Sequence, residues 1–136
     1  MGGMMMDYEK LLEAAKGARD SAYAPYSKFK VGACVITKSG KIYKGCNIEN
    51  SSYGLTNCAE RTALFSAYAN GDREIEAIAV VADTDEPVSP CGACRQVMYE
   101  LGGEDMTVIL GNIKGDFVVK KAKDLLPYAF SLKDEK

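Results

Sequence analysis

The sequence predicts an α/β protein, a three-layer α/β/α sandwich built around a mixed sheet of five strands. Segments with helical periodicity and strand-like apolar runs alternate in the order α-β-β-α-β-α-β-β-α, which favours helices on both faces of one sheet. Residues 75–82 are almost all apolar, and such a run is typical of a central strand covered on both faces. With 136 residues, 47% of them hydrophobic, the chain is long enough to bury a core of its own.

The first helix is predicted after a short N-terminal extension. The extension, MGGMMM at residues 1–6, is expected to be a disordered part of a single domain that spans 1–136. Residues 7–19 are predicted to be helical, with Asp7 as the N-cap. The apolar side chains recur at helical spacing: Leu11, Leu12, Ala15 and Ala18. This stripe predicts the face of the helix that packs on the sheet.

A β-hairpin is predicted next. Its first strand, 28–37, places alternate side chains on opposite faces. One face carries Phe29, Val31, Ala33 and Val35, and the other carries Cys34 and Ile36. Residues 38–41 read Lys-Ser-Gly-Lys, which indicates a tight turn, and 41–48 return as the second strand. The polar stretch 49–57 is expected to be irregular.

The second half of the chain continues the alternation of helices and strands. The predicted helices are 58–68, 91–101 and 122–126, and the predicted strands are 75–82, 106–111 and 116–120. Glycines or prolines stand at or beyond the ends of the three helices, where they commonly end or follow a helix. No internal repeat or linker divides the chain.

The composition disfavours several classes of function. The net charge is −2, so a basic face of the kind that grips DNA or RNA is not expected, and no nucleic-acid polymer is predicted as a partner. No apolar run is long enough for a membrane span, and no signal peptide is visible. Five cysteines, an odd number, favour reduced thiols and a cytoplasmic location over a secreted disulfide scaffold.

Three cysteines have the pattern of a catalytic zinc site. Cys91 and Cys94 stand at i and i+3 at a predicted helix start, directly after Pro90, and Cys58 begins another helix. Because the sequence contains no histidine, any zinc must be held by thiolates and carboxylates. A catalytic zinc needs three protein ligands, an open position for water and a nearby base, and Glu60 is two residues from Cys58.

The cysteine pattern is also compatible with two other kinds of site. A structural four-cysteine zinc could recruit Cys46, although it would leave Glu60 without a role. A thioredoxin-like dithiol needs only Cys91 and Cys94. Cys34 and Cys46 are each expected to be buried small apolar residues within strands.

Arg61 is unusual because a cation in the first turn of a helix opposes the helix dipole. Three thiolates on one Zn²⁺ would leave a net charge of −1, which weakens the metal as a Lewis acid. An arginine that donates to the thiolate sulfurs would restore that acidity, and we predict this role for Arg61. Arg95, beside Cys94, is a weaker candidate for the same role.

Several motifs together resemble a known family. C-x-E followed by P-C-x-x-C is the general signature of zinc deaminases that act on nucleobases, with Cys allowed in place of His. Beyond this signature, the chain resembles the small, homotetrameric, three-cysteine cytidine deaminases from residue 23 to residue 130. The motifs are FKVGA at 29–33, GCNIEN at 45–50, CAERTA at 58–63, SPCGACRQV at 89–97 and LLP at 125–127.

The resemblance implies a function and a site. It implies hydrolytic deamination of free cytidine and deoxycytidine, in pyrimidine salvage, with one zinc per chain. It implies that Glu60 shuttles protons and that the metal ligands are Cys58, Cys91 and Cys94. It also implies a homotetramer in which neighbouring subunits complete each active site.

The resemblance also implies which residues bind the nucleoside: Phe29, Asn47, Glu49, Ser51, Tyr53, Ala59 and Phe130. Asn47 and Glu49 are implied to bind the ribose hydroxyls. As i and i+2 of an extended segment they point the same way, and an amide with a carboxylate suits a diol. Phe29 is implied to pack against the pyrimidine, although the sequence alone is equally compatible with a core aromatic.

The sequence pattern has alternative functions within and outside the deaminases. Blasticidin S deaminases resemble the chain in zinc motif, although Asn47 and Glu49 favour a ribose. A deaminase of DNA or RNA would need a basic groove and stacking aromatics, and the chain has no tryptophan. A zinc-stabilised binding module without catalytic activity would release no ammonia from any cytosine nucleoside.

Overall fold

The sheet has five strands, as predicted, in the order β2-β1-β3-β4-β5. The computed structural model describes residues 7–132, so the extension predicted at 1–6 lies outside the described residues. The strands are β1 (Val31–Thr37), β2 (Ile42–Cys46), β3 (Ile75–Ala82), β4 (Thr107–Asn112) and β5 (Phe117–Lys121). β1 pairs antiparallel with β2 and β3, β3 pairs parallel with β4, and β5 is antiparallel to β4. The predicted mixed sheet is confirmed.

In the described part of the chain, four α-helices accompany the sheet: α1 (Tyr8–Ala18), α2 (Ala59–Ala69), α3 (Gly92–Gly102) and α4 (Ala122–Leu125). The predicted N-cap of α1 is confirmed, because the Asp7 carboxylate accepts from the Lys10 N–H at 3.0 Å. Short 3₁₀ turns follow α1 and precede α2, at Arg19–Ser21 and Tyr53–Leu55. Within 7–132 no helix combines the length and apolarity needed to cross a bilayer.

The helices cover both faces of the sheet, as predicted for three layers. On one face Leu11 and Ala15 of α1 pack with alternate strand side chains: Cys34, Ala77, Ala79, Val81 and Ile109. On the other face α2 and α3 pack on the remaining set, which includes Ala33, Val35, Ile78, Val80 and Val108. β3 is therefore buried on both sides, which explains its continuous apolar sequence.

Two glycines allow the helices to approach the hairpin closely. A Cβ placed on Gly32 would lie 1.9 Å from the carbonyl oxygen of Ala15 in α1. A Cβ on Gly45 would lie 2.4 Å from the backbone nitrogen of Ala63 in α2. Neither distance is possible between real atoms, so the packing of α1 and α2 depends on these two residues.

The hairpin strands are shorter than predicted at their open end. β1 begins at Val31 instead of residue 28, because Lys28 has a left-handed φ of 62° and turns the chain. β2 ends at Cys46, since beyond it Ile48 forms isolated bridges with Tyr23 and Asn57. Local pattern could not reveal these bridges, which join segments distant in sequence.

These bridges bring the end of the hairpin beside the start of α2. Asn57, one residue before Cys58, exchanges backbone hydrogen bonds of 2.9 Å with Ile48. α2 begins here, and α3 begins after the loop that follows the carboxyl end of β3. In α/β sheets, ligands commonly bind outside the carboxyl ends of parallel strands, so a site is expected at this end of β3.

Candidate metal centre and active site

The three predicted metal-binding cysteines lie together. The sulfurs of Cys58, Cys91 and Cys94 are all within 4.8 Å of one another, and the Cys58 and Cys91 sulfurs are 3.8 Å apart. Cys58 is the N-cap residue of α2, and Cys91 is the N-cap residue of α3. Two helix N-termini, the positive ends of their dipoles, therefore meet at the sulfur cluster.

The sulfur spacing fits a tetrahedral zinc. With Zn–S bonds of about 2.3 Å, two sulfurs of a tetrahedral site are separated by about 3.8 Å. Cys91 is exposed and Cys94 is buried, so the cluster has a covered side and an open side. Cys46 is not part of the group, which removes the four-cysteine alternative for this arrangement.

The environment of the cluster favours a thiolate at Cys58. A hydrogen bond with the Cys94 thiol lowers the pKa of Cys58, and the Arg61 guanidinium lowers it further. The same Cys58–Cys94 hydrogen bond, together with burial, raises the pKa of Cys94, because one proton is shared between the two sulfurs. A metal cation that replaces this proton would satisfy both sulfurs.

Arg61 reaches the cluster, where the sequence predicted it to act. Its Nη2 donates to the Cys58 sulfur at 3.2 Å. Its Nε is buried and has no hydrogen-bond partner among the described residues 7–132. A buried N–H without an acceptor is costly, and more negative charge on the sulfurs would compensate for it. The donor set and this arginine therefore both fit a thiolate-bound metal.

Glu60 is buried in the first turn of α2, with 5% of its surface exposed. Burial raises the pKa of its carboxyl to about 7, and the Cys58 thiolate contributes in the same direction. A carboxyl group whose pKa lies near neutrality can both accept and return a proton. Ala59, the first residue of α2, is fully buried.

Arg95, the weaker candidate for a role beside the thiolates, directs all three guanidinium nitrogens to oxygen atoms. Its Nε donates to the Pro90 carbonyl at 3.0 Å and its Nη1 to the Leu125 carbonyl at 3.1 Å. The remaining nitrogen, Nη2, donates to the Ser89 hydroxyl at 2.8 Å. The guanidinium therefore connects the loop before Cys91 to the end of α4. Its direction is set by these carbonyl groups, and it could not be predicted from the position of Arg95 next to Cys94 in the sequence.

Asn47 and Glu49, just beyond the end of β2, are nearly buried, with 8% and 9% of their surfaces exposed. The Asn47 amide accepts from the Val31 N–H at 2.9 Å and donates to the Phe29 carbonyl at 2.8 Å. The Glu49 carboxylate accepts from backbone N–H groups of the segment before β1, as described below. Both side chains therefore bind the protein itself and retain some capacity for a ligand.

The remaining predicted nucleoside-binding residues are mostly on the surface. Phe29 is half-exposed immediately before β1, and the Ser51 hydroxyl shares a 2.6 Å hydrogen bond with the Tyr26 hydroxyl. Tyr53 is 78% exposed and Phe130 is 65% exposed. Nothing in the described chain covers these two aromatics, so one chain alone does not enclose them.

Sequence reasoning missed Ser27 and Gln96. Ser27 contacts Glu49, and Gln96 donates through Nε2 to the Phe130 carbonyl at 3.2 Å. Gln96 lies within the motif at 89–97, and Ser27 lies just before the motif at 29–33. Neither side chain is a usual metal ligand or general base, so neither was selected from the sequence. Their positions become significant only when distant segments are brought together.

An open cavity at the other end of the sheet has no such chemistry. It has a volume of about 360 Å³ and lies at the amino-terminal ends of β3 and β4, where Ile75, Thr107 and Lys121 line it. Its lining carries charges of both signs, from residues such as Lys38 and Glu104, and none of the cysteines. The candidate site is therefore the cysteine cluster at the opposite edge.

Comparison with known proteins agrees with this location. Residues 5–110 match the family described as the cytidine and deoxycytidylate deaminase zinc-binding region. The chain is 57% identical over 129 residues to a cytidine deaminase of Halalkalibacterium halodurans, covering 95% of this chain and 98% of that protein. It is equally identical to a cytidine deaminase of Sporosarcina psychrophila, over 95% of each. A crystal structure of cytidine deaminase from Burkholderia pseudomallei matches with a TM-score of 0.90 and 61% identity, covering 92% of this chain and 100% of that one.

Proposed function

The chain belongs to the zinc-binding cytidine and deoxycytidylate deaminase family, and we propose that it hydrolyses free cytidine and deoxycytidine to uridine or deoxyuridine and ammonia. The observation that carries the proposal is a buried carboxyl group, Glu60, at the helix start where three thiols converge. The same arrangement favours a catalytic metal site over a structural one, because a structural site would need no base.

Cys58, Cys91 and Cys94 would hold one zinc ion per chain. When bound, zinc supplies a Lewis acid that lowers the pKa of a water molecule toward neutrality. Arg61 donates to the Cys58 sulfur and offsets the negative charge of three thiolates, which keeps the site acidic enough for that task.

Glu60 would move the protons of the reaction. Its carboxylate takes a proton from the attacking water and delivers it to ring N3 while the water oxygen bonds to C4. It then takes the second proton of the water oxygen and delivers it to the exocyclic amine. Ammonia leaves as the C4–N bond breaks and a C4 carbonyl forms. Glu60 ends as it began, so one water is consumed for each ammonia released.

The nucleoside would lie between the hairpin end and the cluster. We assign the ribose to Asn47 and Glu49, and the pyrimidine ring to Phe29. The other proposed contacts are Ser51, Tyr53, Ala59 and Phe130. The chain's net charge of −2 favours a free nucleoside over a nucleic-acid polymer.

We also propose a homotetramer in which neighbouring chains complete each site, supported by the exposure of Tyr53 and Phe130. A cytoplasmic location is proposed because a cluster of metal-binding thiols must stay reduced. The whole chain is proposed to be one domain.

Turnover of Glu60→Gln tests the proposal. Positioned proton transfer contributes about 10²–10⁴-fold in rate, so this variant should lose activity by that order while it retains zinc. Glu13→Gln, on the exposed side of α1, is the matched control and should keep normal turnover. Cytidine, deoxycytidine and blasticidin S are compared by loss of the cytosine absorbance, with and without a chelator. Zinc-loaded protein that converts none of them, or a zinc-loaded Glu60→Gln variant with normal turnover, would contradict the proposal.

A further inference from the structure

The segment before β1 contains a hydroxyl group that joins two parts of the proposed nucleoside site. The Ser27 Oγ donates to Oε2 of Glu49 and accepts from the Phe29 N–H at 3.0 Å. We propose that Ser27 is a positioning residue for nucleoside binding, which sets the Glu49 carboxylate relative to Phe29. The inference rests on the proposed function, in which Glu49 contacts the sugar and Phe29 the base.

The two oxygens of the Glu49 carboxylate are held differently. Oε1 accepts from the backbone N–H groups of Tyr26 at 3.0 Å and Ser27 at 3.1 Å. The hydrogen bond that the structure gives Oε2 comes from the Ser27 hydroxyl. Each carboxylate oxygen has two lone pairs, so Oε2 retains one for a substrate hydroxyl. The oxygen most available to the sugar is thus the one oriented by Ser27.

Ser27 also stabilises the ionised form of the Glu49 carboxylate, to which a sugar hydroxyl would donate. Glu49 is 9% exposed, and burial of a carboxylate is unfavourable unless hydrogen bonds compensate for it. The Ser27 hydroxyl is the main cause of the lowered pKa of Glu49. A neutral or rotated carboxyl group would accept a sugar hydroxyl less well.

Phe29 is fixed by the same network from two sides. Its N–H donates to Ser27, and its carbonyl accepts from Asn47 Nδ2 at 2.8 Å. Between Ser27 and Phe29, Lys28 adopts a left-handed φ of 62°, which non-glycine residues rarely do. Such a turn persists when the surrounding bonds over-determine it. One serine therefore links the position of the proposed base contact to that of the proposed sugar contact.

Ser27→Ala should weaken nucleoside binding more than it slows chemistry. We expect KM for cytidine to rise about tenfold, as for loss of one hydrogen bond to a charged group, and kcat to change less than about threefold. The inhibition constant of the product uridine, which undergoes no deamination, should rise by the same factor as KM. Zinc content should remain at the wild-type value, and the thermal midpoint should fall only as far as the loss of one hydrogen bond to a carboxylate requires.

Matched variants separate positioning from general structure. Ser27→Thr keeps the hydroxyl at an exposed position and should restore KM to within about threefold of wild type. Ser52→Ala removes an exposed hydroxyl from the neighbouring loop and should leave both KM and kcat at the wild-type values. If the alanine protein does not fold, Ser27→Gly takes its place, with the same rise in KM expected.

The outcomes distinguish this inference from the proposed function. Wild-type KM in the alanine or glycine variant overturns the inference, and so does a joint fall in zinc content and kcat with unchanged KM. If the wild-type protein does not deaminate cytidine, the proposed function fails. Calorimetric binding of cytidine then decides the inference, which stands if Ser27→Ala weakens binding and falls if the two proteins bind alike or not at all.

Discussion

At the scale of single residues, Arg61 shows how a locally unfavourable residue serves a site. A cation in the first turn of α2 opposes the helix dipole, yet its guanidinium lies 3.2 Å from the Cys58 sulfur. Its buried Nε lacks an acceptor within residues 7–132. These features are understandable if the cluster carries more negative charge than one Zn²⁺ can neutralise.

Arg61→Gln should therefore lower kcat by about 10–100-fold, the usual effect of removing a group that tunes a metal ligand. Arg61→Lys keeps the charge without the planar set of donors, so its kcat should lie between those of the wild type and Arg61→Gln. Steady-state rates are measured on protein whose zinc content is known, together with the thermal midpoint. Full activity in zinc-loaded Arg61→Gln would exclude the charge-balancing role.

Asp72 carries a second residue-scale prediction, on stability. Its Oδ2 accepts from the hydroxyls of Thr37 at 2.8 Å, Ser39 at 2.9 Å and Tyr43 at 3.1 Å. These bonds, led by the one from Thr37, hold the pKa of Asp72 below its usual value. The ionised carboxylate thus stabilises the fold above the unfolded pKa of about 3.9, and this contribution is lost as pH falls through the lower folded pKa.

Asp72→Asn should lower the urea midpoint at pH 7, and its difference from wild type should shrink as the pH is taken down to about 3. Asp20→Asn, at an exposed position in the turn after α1, is the control and should match wild type throughout. A deficit in Asp72→Asn that stays constant from pH 7 to pH 3 would show that the carboxylate charge is not responsible.

At the scale of elements, the contact between β2 and α2 positions the site. Gly45 lies against the backbone of Ala59 and Ala63, and the same turn of α2 carries Glu60. Any side chain at Gly45 must move the helix that supplies one sulfur and the proposed base. Packing of this helix and the chemistry of the site are therefore coupled through one glycine.

Gly45→Ala should destabilise the fold by about 1–3 kcal/mol, as overpacked sites do, and should reduce activity in the protein that remains folded. Gly17→Ala is the contrast, because a Cβ there meets nothing within 4 Å and should stabilise α1 by about 0.5–1 kcal/mol. Denaturant unfolding and specific activity are measured for both. Wild-type stability in Gly45→Ala would mean that α2 can retreat without cost.

The elements also show what a sequence can reveal. Apolar periodicity and turn residues predicted every α-helix and strand of the described chain to within a few residues, because most of them bury at least one face. The sulfur cluster was predicted because its spacing is local to two helix starts. The direction of Arg95 and the contact of Ser27 with Glu49 were not, since they join segments 30 and 22 positions apart whose approach depends on the tertiary fold.

At the scale of the whole molecule, several large apolar side chains are exposed on the surface. The most exposed of them are Tyr53, Leu55, Tyr128, Phe130 and Leu132. Exposed apolar patches of this kind commonly mark interfaces between proteins. In the proposed tetramer they would be covered, and Phe130 of one chain would reach a neighbour's site.

Mixed oligomers can test this sharing. Glu60→Gln and Phe130→Ala should each be impaired alone, but a co-refolded equal mixture should regain activity, because about a quarter of the sites would combine an intact Glu60 with a neighbour's intact Phe130. Each protein refolded separately and then combined without subunit exchange is the control. Activity of the mixture equal to the mean of the two variants would place both residues in the same chain's site.

The sulfur cluster links two helix starts that are separated in sequence by the whole of β3. The unfolded chain therefore holds no such cluster, and zinc bound only by the folded state adds to the free energy of unfolding by mass action. At free zinc about a thousand times the dissociation constant, the gain is about 4 kcal/mol. This is a large share of the free energy of unfolding of a native protein, which is about 5–15 kcal/mol. Metal supply would then control the abundance of the protein as well as its turnover, because chains left without zinc would open more often and be degraded sooner.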